Sequence, residues 1–142
     1  MDDLVTIRDA EDGDLATLTA YSSLEGMGPI DAAENVRVAV SDDGDIVGFI
    51  RLVQSDEGIW HVNPVVVYST WRGFGVGRLL MDQALADAGE LRLVSRGSSL
   101  AFYQSLGFEP IDWEAIHAPI VAECEECDLF DECGPVPMAK KL

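Results

Sequence analysis

The chain reads as an α/β sandwich built around one mixed sheet, and three features of the sequence say so. An extended apolar run, Trp60 to Val67, leads through Arg72-Gly73-Phe74-Gly75-Val76-Gly77 into an amphipathic segment ending near Ala88. Two β-rich runs, Val36 to Val40 and Ile46 to Val53, flank Ser41-Asp42-Asp43-Gly44-Asp45, the acid-and-glycine turn of a hairpin. Short strand-like runs and helical periodicities then alternate to either side of this centre.

Taken in order, Leu4 to Arg8 has strand character. Asp9, with Asp12 three residues on, makes a loose capping box, and Leu15, Leu18 and Ser22 trace one helical face to about Leu24. Gly26, Gly28 and Pro29 end that helix, and a helical turn is expected over Asp31 to Asn35. After the hairpin comes a third extended run, Gly58 to Val67, continuous enough at Val62 and Val65 to Val67 for a strand buried on both faces. Pro64 lies inside it without an N–H, so pairing must fail locally on one side. Val76, Leu79, Leu80, Ala84, Leu85 and Ala88 recur at helical spacing, with Gly89 suited to the residue after the helix. Leu91 to Ser95 predicts a strand, and Ser98 or Ser99 opens a helix through Ser105 that closes at Gly107. Phe108 to Asp112 and Val136 to Lys140 are expected strands around an irregular, cysteine-bearing segment. Residues 1–142 are read as a single domain, with 119–142 as its cysteine-containing end and last strand.

Charge narrows the function classes. Twenty-six acidic residues face nine basic ones, a net charge of −17, and the only lysines are Lys140 and Lys141. Nucleic acid and anionic membrane are excluded as partners, because binding them needs basic residues at phosphates. The acids are scattered, which reads as a halophilic, salt-adapted surface rather than an acidic face for one cationic partner. At about 1 M salt, screening over roughly 3 Å suppresses the self-repulsion. No run approaches the roughly 20 apolar residues of a membrane span, and Met1-Asp2-Asp3-Leu4 lacks a signal peptide's basic start. A cytoplasmic location is expected.

The strand, glycine turn and helix in that order form a device for holding phosphate. The first turn of a helix has backbone N–H donors without intrahelical partners, and the helix dipole favours an anion there. Glycines let several donors converge without Cβ atoms in the way. No Lys-Ser/Thr follows the glycines, which excludes a Walker-type loop. A dinucleotide fold would place its glycine loop after the first strand, whereas here it follows the fourth.

Val67-x4-Arg72-Gly73-x-Gly75-x-Gly77, followed by Phe102-Tyr103-x3-Gly107-Phe108, resembles the GNAT superfamily of acetyl-CoA-dependent N-acetyltransferases. The hairpin Asp43-Gly44-Asp45-Ile46-Val47-Gly48 looks like that family's second and third strands, so the resemblance runs from about Thr6 to Phe108. It implies a three-layer αβα sandwich around a mixed, centrally splayed sheet, with acetyl-CoA as co-substrate. The pantetheine arm would lie along the backbone of Val65, Val66 and Val67, next to Pro64. The diphosphate would sit on the N–H groups of Arg72, Gly73, Phe74, Gly75, Val76 and Gly77, with Arg72 and Arg78 adding charge-assisted contacts or remaining solvated surface cations. Tyr103 matches the family tyrosine that gives a proton to the leaving thiolate; otherwise it is a core aromatic beside Phe102 and Phe108. His61 stands where relatives often carry a glutamate base, and is either a base or a strand histidine without chemistry; the case for His117 is weaker. Arg96 replaces an asparagine that relatives often carry. Relatives often form homodimers.

Cys124-x2-Cys127-x5-Cys133 is a further cluster. Three thiolates with His117 would hold zinc, but the usual second Cys-x2-Cys is absent, so the cluster does not by itself specify a metal. Pro119 through Met138 also resembles the tail of short-form N-acetylglutamate synthases. Those enzymes carry an arginine in the fourth strand to read an acidic substrate, where this chain has Asn63, and their arginine-bearing loop is replaced by Gly26-Met27-Gly28-Pro29. The reading is an N-acetyltransferase moving an acetyl group from acetyl-CoA to a primary amine, small molecule or peptide, by direct attack in a ternary complex. The alternative is a non-catalytic acyl-CoA-binding regulatory module.

Overall fold

The computed structural model describes residues 5–125 and 134–142. Seven strands form one mixed sheet: β1 (Val5–Asp9), β2 (Val36–Ser41), β3 (Ile46–Gln54), β4 (Trp60–Val67), β5 (Glu90–Ser95), β6 (Glu109–Pro110) and β7 (Val136–Lys141), ordered β1-β2-β3-β4-β5-β7-β6. Four helices accompany them among the described residues: α1 (Leu15–Leu24), α2 (Val76–Ala88), α3 (Leu100–Ser105) and α4 (Ala118–Glu125). This is the α/β fold expected. The chain forms two compact units, Met1–Leu52 with Asn63–Ala84 and Val53–Val62 with Leu85–Leu142.

In the first unit β1 pairs antiparallel with β2, and β2 with β3. Leu18 of α1 packs with Ile30, Val36, Val38, Phe49 and Val66 in its core. The entry to α1 is capped differently from the expectation. Asp14, not Asp12, accepts the backbone N–H of Glu11 at 2.8 Å, and the Arg8 guanidinium at 2.9 Å. That contact holds the Asp14 carboxyl below the usual carboxylate range, with a smaller contribution from the Glu11 amide, against desolvation. The segment after α1 is stitched back onto it: Ser22 Oγ donates to the Gly28 carbonyl at 2.7 Å, and the Ile30 N–H donates to Thr19 Oγ1 at 3.1 Å. The helical turn expected at Asp31 to Asn35 does not form. Asn35 instead adopts a left-handed φ of 59°, and its carbonyl accepts the Leu52 N–H at 2.9 Å.

The hairpin turn closes as predicted, the Ser41 N–H donating to the Asp45 carbonyl at 2.8 Å with Gly44 at φ 88°. Gly48 is required for a different reason. A Cβ built there would stand 2.9 Å from the Val66 carbonyl oxygen and 3.3 Å from a Val76 methyl. A hydrogen is therefore the only side chain that admits the β4 backbone at this point.

In the second unit β4 and β5 run parallel, paired at Trp60↔Leu91 and His61↔Arg92. The Asn63–Pro64 bond, further along β4, is cis. β7 pairs antiparallel with β5 over six positions, and with the two residues of β6, a shorter strand than Phe108 to Asp112 suggests. Leu91, Leu93, Leu106, Phe108, Ile120 and Met138 are buried. The segment read as irregular contains α4. Pro119 fits its first turn, where an amide N–H has no intrahelical partner, and Ile120 is its buried residue. Gly89 ends α2 as expected, at φ 81°, its N–H donating to the Leu85 carbonyl at 2.8 Å.

Replacing Gly48 with alanine should destabilise the protein by about 1–3 kcal/mol, because the added methyl meets backbone rather than a flexible side chain. Denaturant unfolding at constant salt measures this; an unchanged midpoint would mean that the two strands separate without cost.

Candidate active site

In the first unit, β4 delivers Val65, Val66 and Val67 to the start of the glycine loop. Val66 is buried, and the Tyr68 N–H continues the contact with β3 by donating to the Val47 carbonyl at 2.8 Å. Gly73 and Gly75 have φ of 89° and 81°, the left-handed conformation in which other residues are strained. A Cβ at either would meet nothing within 4 Å, so the loop's surface is open at both glycines. The Leu79 N–H donates to the Gly75 carbonyl at 3.0 Å, which begins α2 inside the loop. Val76 is buried and fastens the helix start, while Phe74 is exposed and its ring lies 5.6 Å from that of Trp71. Backbone donors at a helix start beside glycines with open space above them fit a diphosphate.

Arg72 is engaged: its Nε donates to the Val67 carbonyl at 3.2 Å, and its Nη2 pairs with the Glu25 carboxylate at 2.8 Å. Arg78 is exposed on the first turn of α2. Glu25, at the end of α1, is a partner that the spacing of motifs did not disclose.

In the second unit, Tyr103 sits on α3, half-buried. Phe102 and Phe108 meet its ring edge-on, at centroid distances of 5.1 and 5.9 Å. The Leu106 and Phe108 N–H groups both donate to its carbonyl at 3.1 Å, which fixes the backbone under the ring. Burial pushes its hydroxyl up to about 12, and the Arg96 charge acts weakly the other way. The phenol is protonated throughout the neutral range.

His61 is 1 % exposed, and both of its ring nitrogens meet backbone. Nδ1 lies 3.1 Å from the Ile59 carbonyl, and Nε2 accepts the His117 N–H at 3.1 Å. An N–H donor at Nε2 requires the lone pair there, so the proton belongs on Nδ1. The expectation of His61 as a base meets a physical obstacle: no lone pair is left for an amine proton in this arrangement. The two imidazole rings lie 5.9 Å apart, and the His117 carbonyl accepts the Ile120 and Val121 N–H groups at 3.0 and 3.2 Å. His61 therefore anchors the start of α4 to β4.

Cys124 lies on α4, half-buried. Cys127 and Cys133 fall outside the described residues, and the zinc reading with them; among the described residues no three His, Cys, Asp or Glu side chains gather in a metal-binding group. No helix among the described residues is long and apolar enough to cross a membrane.

The family model of the acetyltransferase (GNAT) domain matches residues 33–110, more than half of the chain, the hairpin and glycine loop included. The chain belongs to the GNAT acetyltransferase family. Solved structures carry the same fold at low identity. N-acetylglutamate synthase from Neisseria gonorrhoeae, complexed with coenzyme A and N-acetyl-glutamate, matches with a TM-score of 0.81 at 14% identity. That match covers 100% of this GNAT chain and 36% of the synthase chain, so this chain spans about a third of that relative. Rv2747 from Mycobacterium tuberculosis, in complex with CoA, matches with a TM-score of 0.75 at 19% identity, covering 96% of this chain and 99% of its own. Naa50 from Arabidopsis thaliana, bound to a bisubstrate analogue, matches with a TM-score of 0.68 at 18% identity, covering 98% and 99%. No curated protein sequence matches it.

Burial lowers the His61 pKa from its ordinary value. The Ile59 carbonyl and Glu90 act against that shift, and the His117 and Arg92 charges reinforce it. The folded state thus takes up its proton at lower pH than the unfolded chain, where histidine titrates near roughly 6.5. The stability contributed by the neutral ring is complete above about 6.5 and is lost as pH falls from there through the lowered folded value. Unfolding free energies between about pH 5 and 8 should show this decline, and His61→Gln, which keeps an acceptor for the His117 amide but cannot titrate, should remove it. An identical slope in the variant would assign the decline to another group.

Proposed function

We propose that this GNAT chain is an N-acetyltransferase that moves an acetyl group from acetyl-CoA to a primary amine by direct attack in a ternary complex. The observation that carries this is the glycine loop: two glycines in left-handed conformation at the start of α2, with open space where a side chain would stand. The relatives bound to coenzyme A or to a CoA-containing bisubstrate analogue support it. Acetyl-CoA supplies an acyl thioester that a neutral amine attacks without a covalent acyl-enzyme.

The Arg72 N–H is taken by the Ser69 carbonyl at 3.3 Å, so the N–H groups of Gly73 to Gly77 bind the diphosphate, and the backbone of Val65 to Val67 binds the pantetheine arm. A cradle of backbone donors suits a chain of net charge −17, since it needs no basic patch. Arg78 adds charge at the loop, and Arg72 does so by exchanging Glu25 for phosphate. Tyr103 holds a hydrogen at Oη for the leaving sulfur. A phenol at about 12 lies well above a thiol near roughly 8.5, so Tyr103 stabilises the developing thiolate by a hydrogen bond ahead of any full proton transfer. His61 positions the His117 segment, and the proton of the attacking amine leaves to water. Deprotonation at pH 7 costs about 1 kcal/mol for a peptide-type α-amine and about 4.6 kcal/mol for a lysine-like one, so the reading favours α-amines. The protein acts in the cytoplasm of a salt-rich cell.

Calorimetry at molar salt should show acetyl-CoA binding at micromolar affinity. Gly75→Glu, which strains the left-handed backbone and sets a carboxylate at the cradle, should abolish it; undiminished binding in that variant would move the cofactor elsewhere. Tyr103→Phe should lower kcat by about 100-fold with acetyl-CoA affinity intact. Full activity in that variant would reduce Tyr103 to a packing residue.

A further inference from the structure

We infer that Arg51 reads a carboxylate on the acceptor, and that the acceptor is a free α-amino acid. The inference rests on the transferase reading above and deepens it.

Arg51 occupies an apolar position. In the β2–β3 ladder Val36 stands opposite Arg51 and Val38 opposite Phe49, so all four project from one face of the sheet. Val36, Val38 and Phe49 belong to the core cluster that Leu18 and Ile30 complete. A half-buried guanidinium takes the next place on that face, where the alternation calls for another apolar side chain.

Its surroundings do not neutralise it. Arg51 Nε donates to the Asn63 carbonyl at 2.6 Å, and among the described residues no carboxylate pairs with it. Arg8, Arg72 and Arg92 each meet a carboxylate, at 2.9, 2.8 and 3.1 Å. Among the described residues no buried side-chain nitrogen lacks a hydrogen-bond partner, so the terminal nitrogens of Arg51 are open to solvent and accessible to a ligand. The Nε contact orients the planar fork and leaves the two terminal nitrogens to hold a carboxylate bidentately.

The location matches the chemistry. Asn63 lies on β4 two residues before Val65. The amine of an α-amino acid is two bonds from its carboxylate carbon. A carboxylate on Arg51 thus brings the amine toward the stretch of β4 proposed for the thioester arm. The guanidinium also offsets the negative charge that holds the proton on the adjacent ammonium, which eases its loss to water. The acyl C–N bond then forms as the C–S bond breaks, and the sulfur leaves as the CoA thiolate. A peptide N-terminus, whose α-carbonyl is an amide, has no carboxylate for Arg51.

The test is acetyl transfer at molar salt, followed by thiol release, with the twenty amino acids and their α-carboxamides as acceptors. The expected result is at least one amino acid preferred over its carboxamide by about 30-fold in kcat/KM. Arg51→Gln should remove that preference through KM, with kcat and the carboxamide rates little changed, and Arg51→Lys should keep part of it. Equal use of acids and carboxamides by the parent protein overturns the inference, and this arm needs no variant to fold. Equal loss of both substrate types in Arg51→Gln also overturns it, since that is the signature of a structural role at Asn63. Acetyl-CoA calorimetry separates the two levels. Binding with turnover of carboxamides or peptide amines alone sinks the Arg51 assignment and spares the transferase, whereas no acetyl-CoA binding by the parent protein sinks both.

Discussion

The backbone of β3 lies against that of β4 at a spacing only glycine allows: a Cβ at Gly48 would stand 2.9 Å from the Val66 carbonyl oxygen and 3.3 Å from Val76. This one approach sets the position of the glycine loop and of the helix beyond it. Val66 and Val67 lead to the Tyr68–Val47 hydrogen bond, and Val76 anchors the first turn of α2 on the far side of the loop. The loop is therefore fastened at both ends to packed backbone while its own glycines stay open. A phosphate cradle needs that combination, because backbone donors are useful only if they are held in place before the ligand arrives.

Backbone donation also reconciles two features that otherwise conflict. A protein with 26 acidic and nine basic residues is a poor host for a polyanion if the host site must be a basic patch. Amide dipoles at a helix start are insensitive to that balance, and in molar salt the distant carboxylates are screened over about 3 Å. The Arg72–Glu25 pair fits the same logic. It neutralises a cation at the loop, and both side chains of the pair are open to solvent.

The features legible in the sequence are local ones. The glycine loop, the α2 periodicity, Gly89 and the hairpin turn are each decided by residues a few positions apart, and they stand where the spacing puts them. What the sequence does not disclose depends on contacts across the chain. In the sequence His61 is open as a base or a strand histidine, and the His117 amide, 56 residues away, takes its Nε2 lone pair. Arg51 reads as one polar residue in a β-rich run until the register with Val36 places it on the core face. α4 is hidden by a cysteine pattern that suggests irregular structure, although Pro119 at its start is a helix-initiating residue. At the entry to α1 the Asp14 carboxylate accepts both the Glu11 N–H and the Arg8 guanidinium, a cross-chain partner that the spacing of acids does not reveal.

Asn63 changes meaning once side-chain reach replaces sequence position. A fourth strand without an arginine argues against an acidic acceptor only if the arginine must grow from that strand. Here the neighbouring strand supplies one, and its Nε rests on the Asn63 carbonyl itself. Sheets permit this exchange because a long side chain on one strand spans the roughly 5 Å to the next with length to spare. The substitution also explains why the guanidinium can be half-buried without a carboxylate. Its Nε is satisfied by a fixed carbonyl, and its terminal nitrogens face solvent, where their planar fork offers a directional contact. An ammonium at the same place would spread its three donors without a preferred plane. Arginine on β3 is thus the side chain suited to a planar anion at this place, and the carboxylate of the proposed acceptor is such an anion.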